Sequence, residues 1–385
     1  MQLSIPPSKL PQPTQAAIHH SLKLTAHIHE ICQAHQGIIS FAHFMSLALY
    51  APNLGYYCSN TPKFGPRGDF ITAPEISTLF VETLANQCSE ILSLLPKPFY
   101  LLELGAGSGR LAAILIPALK RLKLMPEKYF ILEVSPNLIK RQQLFLEKNC
   151  PKDFSRIEWL PQFLDHEFSG IILANEVLDA LPVQRFCITQ NPDEIQEVAV
   201  HSHNEMFSWV KRPASKKLSA AIQTLQNNLE PNRLAPGYIS EICLKLENFI
   251  HQTSKALKQG ACIILDYGYP REEYYHPQRN LGTLMCYYRH LAHTDPFLHI
   301  GLQDITAHVD FSYLADLAYR ASFEVASYET QANFLIKNGL LGLAEAAIQQ
   351  GTNPIVLSQE IQKLILPNEM GELFKCMILK KEPSP

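Results

Sequence analysis

The stretch Leu101-Leu102-Glu103-Leu104-Gly105-Ala106-Gly107-Ser108-Gly109 constrains this chain more than any other. An apolar run ends on an acid and three closely spaced glycines, and the helical pattern Arg110-Leu111-Ala112-Ala113-Ile114-Leu115 follows at once. Glycine lets the backbone turn tightly and lets a ligand touch the main chain. Strand, glycine turn and helix in that order predict the first unit of a doubly wound, Rossmann-like α/β sheet. Its ligand would sit at the carboxyl end of the strand. The competing reading is a tight turn that holds nothing.

The residues narrow the ligand. A dinucleotide fingerprint needs glycine or alanine at its sixth position, where this chain has Arg110. That fingerprint also lacks an acid two residues before its first glycine, where Glu103 stands. S-adenosylmethionine carries an ammonium, a carboxylate and a sulfonium but no pyrophosphate. A carboxylate beside a glycine turn suits its cationic end, because hydrogen bonds to ionised groups are the strong ones. A second apolar run, Tyr129-Phe130-Ile131-Leu132, ends at Glu133, thirty positions after Glu103. That spacing leaves room for a crossover helix. A carboxylate there can accept hydrogen bonds from both ribose hydroxyls. Glu103, Gly105, Gly107, Gly109 and Glu133 are therefore the expected cofactor residues.

The alternation of strands at 100–104, 129–134 and 170–174 with helical patterns argues for a parallel sheet. A helix is expected from Pro74 through Leu95, with proline in its first turn. Residues 1–95 read as an N-terminal helical cap with a turn-rich lid loop, and 96–385 as the sheet domain. Two decorations interrupt that domain. One is an insert at about 188–235, holding a β-hairpin around His203-Asn204-Glu205 and a helix over 215–228. The other is a loop at about 269–310, rich in His, Tyr and Gly and long enough to suggest function. Residues 374–379 read as a final strand, with 323–328 as its partner.

Composition excludes several classes. A net charge of −3 without a long basic run argues against a nucleic-acid partner. No apolar run is long enough to span a bilayer. Nine cysteines, an odd number with no C-x-x-C pair, read as free thiols in a reducing compartment. With no targeting pattern at the start, cytoplasm is the expected location. His290, His293 and Asp295 form H-x-x-H-x-D, a pattern that can hold zinc. Tying down the long loop is the better reading, since methyl transfer needs no metal, so no metal is expected.

With these residues in view, the chain resembles the MidA-type family of class I methyltransferases. Four segments carry the resemblance. They are Gly68-Asp69-Phe70-Ile71-Thr72-Ala73-Pro74-Glu75-Ile76-Ser77, the glycine turn from Glu103, Ala174-Asn175-Glu176-Val177-Leu178-Asp179-Ala180-Leu181-Pro182, and Gly282-Thr283-Leu284 running to Asp304-Ile305-Thr306-Ala307-His308-Val309-Asp310-Phe311. The resemblance implies S-adenosylmethionine-dependent methylation of a protein arginine. The best-known members are mitochondrial assembly factors for respiratory complex I, so the implied partner is a protein, such as a respiratory NADH dehydrogenase subunit. The chain departs from the pattern at Val81, where glycine is expected, and over Met285-Cys286-Tyr287-Tyr288-Arg289-His290.

The resemblance places the loop of Asp69, Phe70 and Thr72 over the cofactor; a turn that only caps the next helix is the plainer alternative. Gln162 and Phe163 follow the strand at Trp159-Leu160, where such folds often hold an adenine; an amide and an aromatic face suit it. Asn175, Glu176 and Asp179 follow the strand that begins at Gly170, whose end faces the ligand crevice of an open sheet. Two carboxylates can clamp a planar guanidinium and hold one nitrogen in line for transfer, with Asn175 as orienter. The same acids could instead serve a helix N-terminus. Other functions stay open at this point: small-molecule methylation, a cofactor-binding assembly chaperone with little or no catalysis, and, more distantly, a nicotinamide dehydrogenase.

Overall fold

Leu101, Leu102 and Leu104 are the reason the first strand sits at the centre of a sheet: each is apolar and fully or almost fully buried. A computed structural model describes residues 10–59, 69, 71–191, 194–231 and 233–383. Seven strands make the continuous path of an eight-stranded sheet: β1 (Tyr100–Leu104), β2 (Tyr129–Leu132), β3 (Ile157–Leu160), β4 (Phe168–Asn175), β5 (Leu257–Tyr269), β6 (Glu324–Thr330) and β7 (Phe374–Lys381). Their spatial order is β6-β7-β5-β4-β1-β2-β3. The pairs from β3 across to β5 are parallel, whereas β7 runs antiparallel between β5 and β6. The fold is therefore the expected Rossmann-like α/β type, with its order reversing between β1 and β4. At that switch point open sheets bind their ligands.

Three helices frame the first strands: α1 (Thr78–Ser93), α2 (Arg110–Arg121) and α3 (Pro136–Asn149). Helix α2 buries Leu111, Ala112, Leu115, Ile116 and Leu119, the spacing of one helical stripe. Ser135 caps α3 by accepting from the Leu138 amide at 3.3 Å, and proline opens the helix. The helix expected from Pro74 to Leu95 is two pieces. A single turn at Ala73–Ile76 stops at Ser77, whose extended backbone and side chain cap α1 instead.

Contacts divide the chain into two units. The sheet unit comprises Ile71–Leu178, Glu247–Gly268 and Tyr313–Pro385; the other comprises Met1–Phe70, Asp179–Leu246 and Tyr269–Ser312. This division differs from a simple N-terminal cap ending at residue 95. Helix Thr78–Ser93 packs Leu79, Phe80, Val81, Leu84 and Cys88 into the core of the sheet unit, while the insert and the long loop join the N-terminal helices.

In that other unit the helices Gln15–Ala34 and Phe41–Tyr50 bury Leu24, Ile28, Phe41, Phe44 and Met45 among Val200, Ile300 and Ile305. The expected hairpin pairs Ile195–His203 with Met206–Pro213. Its two turn residues, Asn204 and Glu205, have φ of 48° and 60°, the left-handed pair that matches hairpin twist. The expected helix runs Lys216–Asn227. The segment at 269–310 is not the continuous loop the sequence suggested. It holds a short helix, Arg271–Tyr274, and a three-stranded antiparallel sheet of Leu291–His293, Met285–Tyr288 and Asp304–Thr306. Among the described residues no helix is long and apolar enough to cross a membrane.

Candidate cofactor and acceptor site

The glycine turn adopts a backbone that only glycine takes without strain. Gly105, Gly107 and Gly109 have φ of 63°, 55° and 83°. The Gly105 amide donates to the Leu132 carbonyl at 2.9 Å, so the turn starts level with the end of β2. Two further ties hold it: Ser108 donates its hydroxyl to Glu75, and Arg110 donates through Nε to the Pro74 carbonyl at 2.8 Å.

Glu103 is 4% exposed and accepts the Tyr129 hydroxyl at 2.7 Å. Burial, against that bond and reinforced by the charge of Glu133, pushes its carboxyl up to about 7. Glu133 is also buried. One of its oxygens accepts the Ser135 amide at 3.0 Å, the other the Gln142 side chain at 3.1 Å. Gln142 is fully buried; its amide nitrogen also donates to the Gly107 carbonyl at 3.0 Å, and its oxygen accepts from Trp159 Nε1 at 2.9 Å. Sequence reading missed this residue. Its signal was a polar side chain in the inward row Leu138, Gln142, Leu146.

Register brings the remaining sheet-unit candidates to the same edge. Leu104 pairs with Leu132 and with Ala174, and Leu132 pairs with Leu160. The ends of β4, β1, β2 and β3 therefore present Asn175–Glu176, Glu103–Gly105, Glu133 and Gln162–Phe163 in adjacent positions, one strand spacing apart. Gln162 is exposed and Phe163 half-buried, just beyond β3. Thr72 is half-buried and precedes the Ala73–Ile76 turn without a side-chain cap bond.

The corner after β4 is built with care. Glu176 has φ 53°, the left-handed region that a side chain rarely occupies. Its Oε1 accepts from the Ala73 amide at 3.4 Å and from Asn175 Nδ2 at 3.3 Å. Asp266, fully buried at the end of β5, accepts the amides of Val177 and Leu178 at 3.2 and 2.8 Å. Asp266 was also missed, although an acid closing an apolar strand is a readable signal.

Two expected residues belong to the other unit, each described there. Asp69 accepts the Tyr56 hydroxyl and the Arg289 amide, both at 2.8 Å, and its carbonyl accepts the His290 amide at 3.0 Å. Desolvation raises its carboxyl above the usual range. Asp179 is buried, and its carbonyl accepts the Ala307 amide at 3.0 Å. Phe70 lies outside the described residues. His293 accepts the Asp295 amide at 3.3 Å and Asp295 the Phe297 amide at 2.9 Å, which ties down the segment after the three-residue strand. Among the described residues no three His, Cys, Asp or Glu side chains are grouped to hold a metal.

An S-adenosyl group fits this edge. Three positions without side chains adjoin a buried acid that feels the charge of a second acid, Glu133, so an ammonium complements it. Residues 83–329 match the family described as putative S-adenosyl-L-methionine-dependent methyltransferase. The chain belongs to this methyltransferase family. A crystal structure of a COG1565 superfamily member from Burkholderia thailandensis, bound to S-adenosyl-homocysteine, superposes with TM-score 0.89 at 35% identity, covering 98% of this chain and 96% of that one. The chain is 30% identical over 366 residues to "Protein arginine methyltransferase NDUFAF7, mitochondrial" of Danio rerio, covering 88% of this chain and 82% of that protein. The Homo sapiens protein of the same name is 27% identical over 371 residues, with coverages of 89% and 80%. S-adenosylmethionine is thus the methyltransferase's cofactor. The relatives' names place them in mitochondria and give no support to the cytoplasmic expectation.

Proposed function

We propose that this methyltransferase transfers a methyl group to an arginine of a protein substrate. The observation that carries the reading is the row of adjacent strand ends, where the glycine turn and its two acids stand beside the strained Asn175–Glu176 corner. The acceptor class is supported by the names of the relatives. A role in respiratory complex assembly, with an NADH dehydrogenase subunit as acceptor, is part of the same proposal.

S-adenosylmethionine, when bound, supplies an electrophilic methyl group. In this reading Glu103 pairs with its ammonium, Glu133 accepts from its ribose hydroxyls, and Gln162 and Phe163 receive its adenine. Thr72, just before the Ala73–Ile76 turn, helps to exclude water and so strengthens the electrostatics inside. A guanidinium has a pKa above roughly 12, so no side chain deprotonates it beforehand. Glu176 instead holds its planar fork so that one nitrogen points at the methyl carbon, with Asn175 fixing the Glu176 carboxylate, and Asp179 is the second candidate acid. After transfer a carboxylate accepts the proton that the methylated nitrogen sheds and passes it to water.

The test is transfer of radiolabelled methyl from S-adenosylmethionine by the purified chain into lysate of a deletion strain. A labelled protein whose hydrolysate contains methylarginine supports the reading. Label on another residue type, label only in small molecules, or no label at all overturns it.

A further inference from the structure

Where helix Gln15–Ala34 ends and helix Phe41–Tyr50 begins, the non-sheet unit holds a cavity of about 510 Å³ that the roles above leave unused. Its lining includes two histidines, His35 and His43, and one arginine, Arg212, with no acid among the described residues that line it. The two imidazole rings stand 5.7 Å apart with planes at 87°. Arg212 comes from the hairpin strand Met206–Pro213 and pairs with Glu197 on the facing strand, donating through Nε at 2.7 Å. That bond uses one of its five N–H groups. Its terminal nitrogens make no hydrogen bond among the described residues.

The histidines are placed to change charge. His35 donates Nδ1–H to the Ile31 carbonyl at 2.9 Å, which leaves Nε2 as the nitrogen that gains or loses a proton. His43 is half-buried, and neither ring nitrogen has a hydrogen bond among the described residues. Burial and the charge of His35 lower its ring below the usual imidazole value. A bound anion acts the other way, because an opposite charge favours the protonated ring.

The backbone around the cavity suits a negative guest. Ser40 lines it and opens Phe41–Tyr50 by accepting the His43 amide at 3.1 Å, so the positive end of that helix borders the space. The carboxyl end of Gln15–Ala34 borders it too, but its carbonyls are occupied. Ile31 accepts from the His35 ring, and Cys32 and Gln33 accept the amides of Gly37 and Gln36 at 2.8 and 3.2 Å. Further along the strand Ile195–His203 stand His201, register partner of Ile38, and His203, whose ring stacks on it at 5.8 Å.

With both lining imidazoles neutral, Glu197 balances Arg212. With both protonated, three cations stand against one carboxylate. That is the complement of a doubly charged oxyanion, and a phosphoryl group brings three acceptor oxygens. The volume falls within the roughly 300–1,000 Å³ of small-molecule sites, and Ala34, Ile38 and Ile39 give it an apolar wall. An inorganic anion would leave that wall uncovered. We propose that His35, His43 and Arg212 bind the phosphoryl group of a small phosphate monoester whose organic part lies on Ala34, Ile38 and Ile39. This site shares no residue with the cofactor and acceptor roles and does not rest on them.

Calorimetry of the full chain with phenyl phosphate, inorganic phosphate and benzoate tests this. At about pH 7.5 phenyl phosphate is a dianion and binds about tenfold or more tighter than inorganic phosphate, because its ring covers the apolar wall. It also binds about tenfold or more tighter than benzoate, which lacks the second charge and the third oxygen. In two buffers of different ionisation enthalpy, its binding takes up close to one proton or more as the imidazoles become charged. His35→Gln and His43→Gln each reduce this uptake and weaken phenyl phosphate about fivefold or more, with S-adenosylhomocysteine affinity unchanged. No heat with phenyl phosphate, binding without proton uptake, or two variants that bind like the parent overturns the proposal. Inorganic phosphate that binds as tightly as phenyl phosphate overturns the monoester and makes the ligand free phosphate. Benzoate that binds as tightly overturns the phosphoryl assignment. The uptake and the ligand comparison need no variant.

Discussion

Tyr129 donates its hydroxyl to Glu103 across 2.7 Å, from the neighbouring strand. Tyr129 is register partner to Leu101, so the bond reaches diagonally to the residue two places further on the same face. It fixes one oxygen of the acid that precedes the glycine turn. It also favours the ionised carboxylate, but only partly offsets the burial that raises Glu103 to about 7.

Cofactor affinity should therefore depend on pH. A cationic ligand beside Glu103 favours the carboxylate, so S-adenosylhomocysteine binding strengthens as pH rises toward about 7 and levels off above it. The slope below that point approaches about tenfold per pH unit. Calorimetric titration from about pH 5 to about pH 9 measures it. Glu103→Gln binds more weakly at high pH and loses the slope. A flat profile in the parent chain would remove Glu103 from ammonium binding.

Stability of the ligand-free protein should run the opposite way. Glu103 and Asp304 have carboxyls raised to about 7 and about 8 in the folded chain. The folded state then holds protons that the unfolded state has lost, so their contribution is full below about pH 4 and disappears as pH rises through about 7 to 8. For Glu103 this amounts to about 3 kcal/mol, because each tenfold gain in proton affinity on folding is worth about 1.4 kcal/mol. Urea unfolding at about pH 5.5 and about pH 8.5 reads the difference. Glu103→Gln should show a visibly shallower decline than the parent.

Gly107→Val should abolish S-adenosylhomocysteine binding. A β-branched side chain at φ 55° is strained by roughly 1–2 kcal/mol, and its methyl groups fill the approach to the turn. The sheet strands remain paired, so far-ultraviolet dichroism is unchanged while calorimetry shows no heat of binding. Affinity equal to the parent's would place the cofactor away from this turn.

Gln142→Leu should cost stability and affinity together. It preserves the volume but removes donors from the Glu133 carboxylate and the Gly107 carbonyl and the acceptor for Trp159. Each buried group left without its partner costs about 1–3 kcal/mol. Thermal melts with and without S-adenosylhomocysteine separate the two effects: the midpoint falls, and the ligand-induced rise shrinks. An unchanged ligand-induced rise would make Gln142 purely structural.

Much of the candidate edge was legible because its signals are local. An apolar run, an acid and three glycines lie within nine residues, and Glu133 closes the next apolar run. The hairpin around Asn204 was legible for the same reason. Gln142, Asp266 and the Tyr57–Asp304 bond were not, because each acts on residues brought near only by tertiary structure. The strands at 285–306 escaped because runs of three or four residues are too short to show a period of two. The two-unit division escaped because each unit is assembled from three separate segments.

Asp179→Asn should retain cofactor and lose transfer. The substitution keeps size and hydrogen-bonding capacity but removes the negative charge that the proposed guanidinium acceptor would require. S-adenosylhomocysteine affinity stays within about twofold of the parent while label transfer into lysate protein falls about a hundredfold or more. Full turnover by this variant would take Asp179 out of the mechanism.

The most direct test is a crystal of the full chain grown with S-adenosylhomocysteine. The account predicts the ligand along the row of strand ends, its amino group on Glu103, its backbone against Gly105 to Gly109 and its ribose on Glu133. A ligand lodged at any other place on the chain, or pointing its ribose at Glu103 instead, would contradict it.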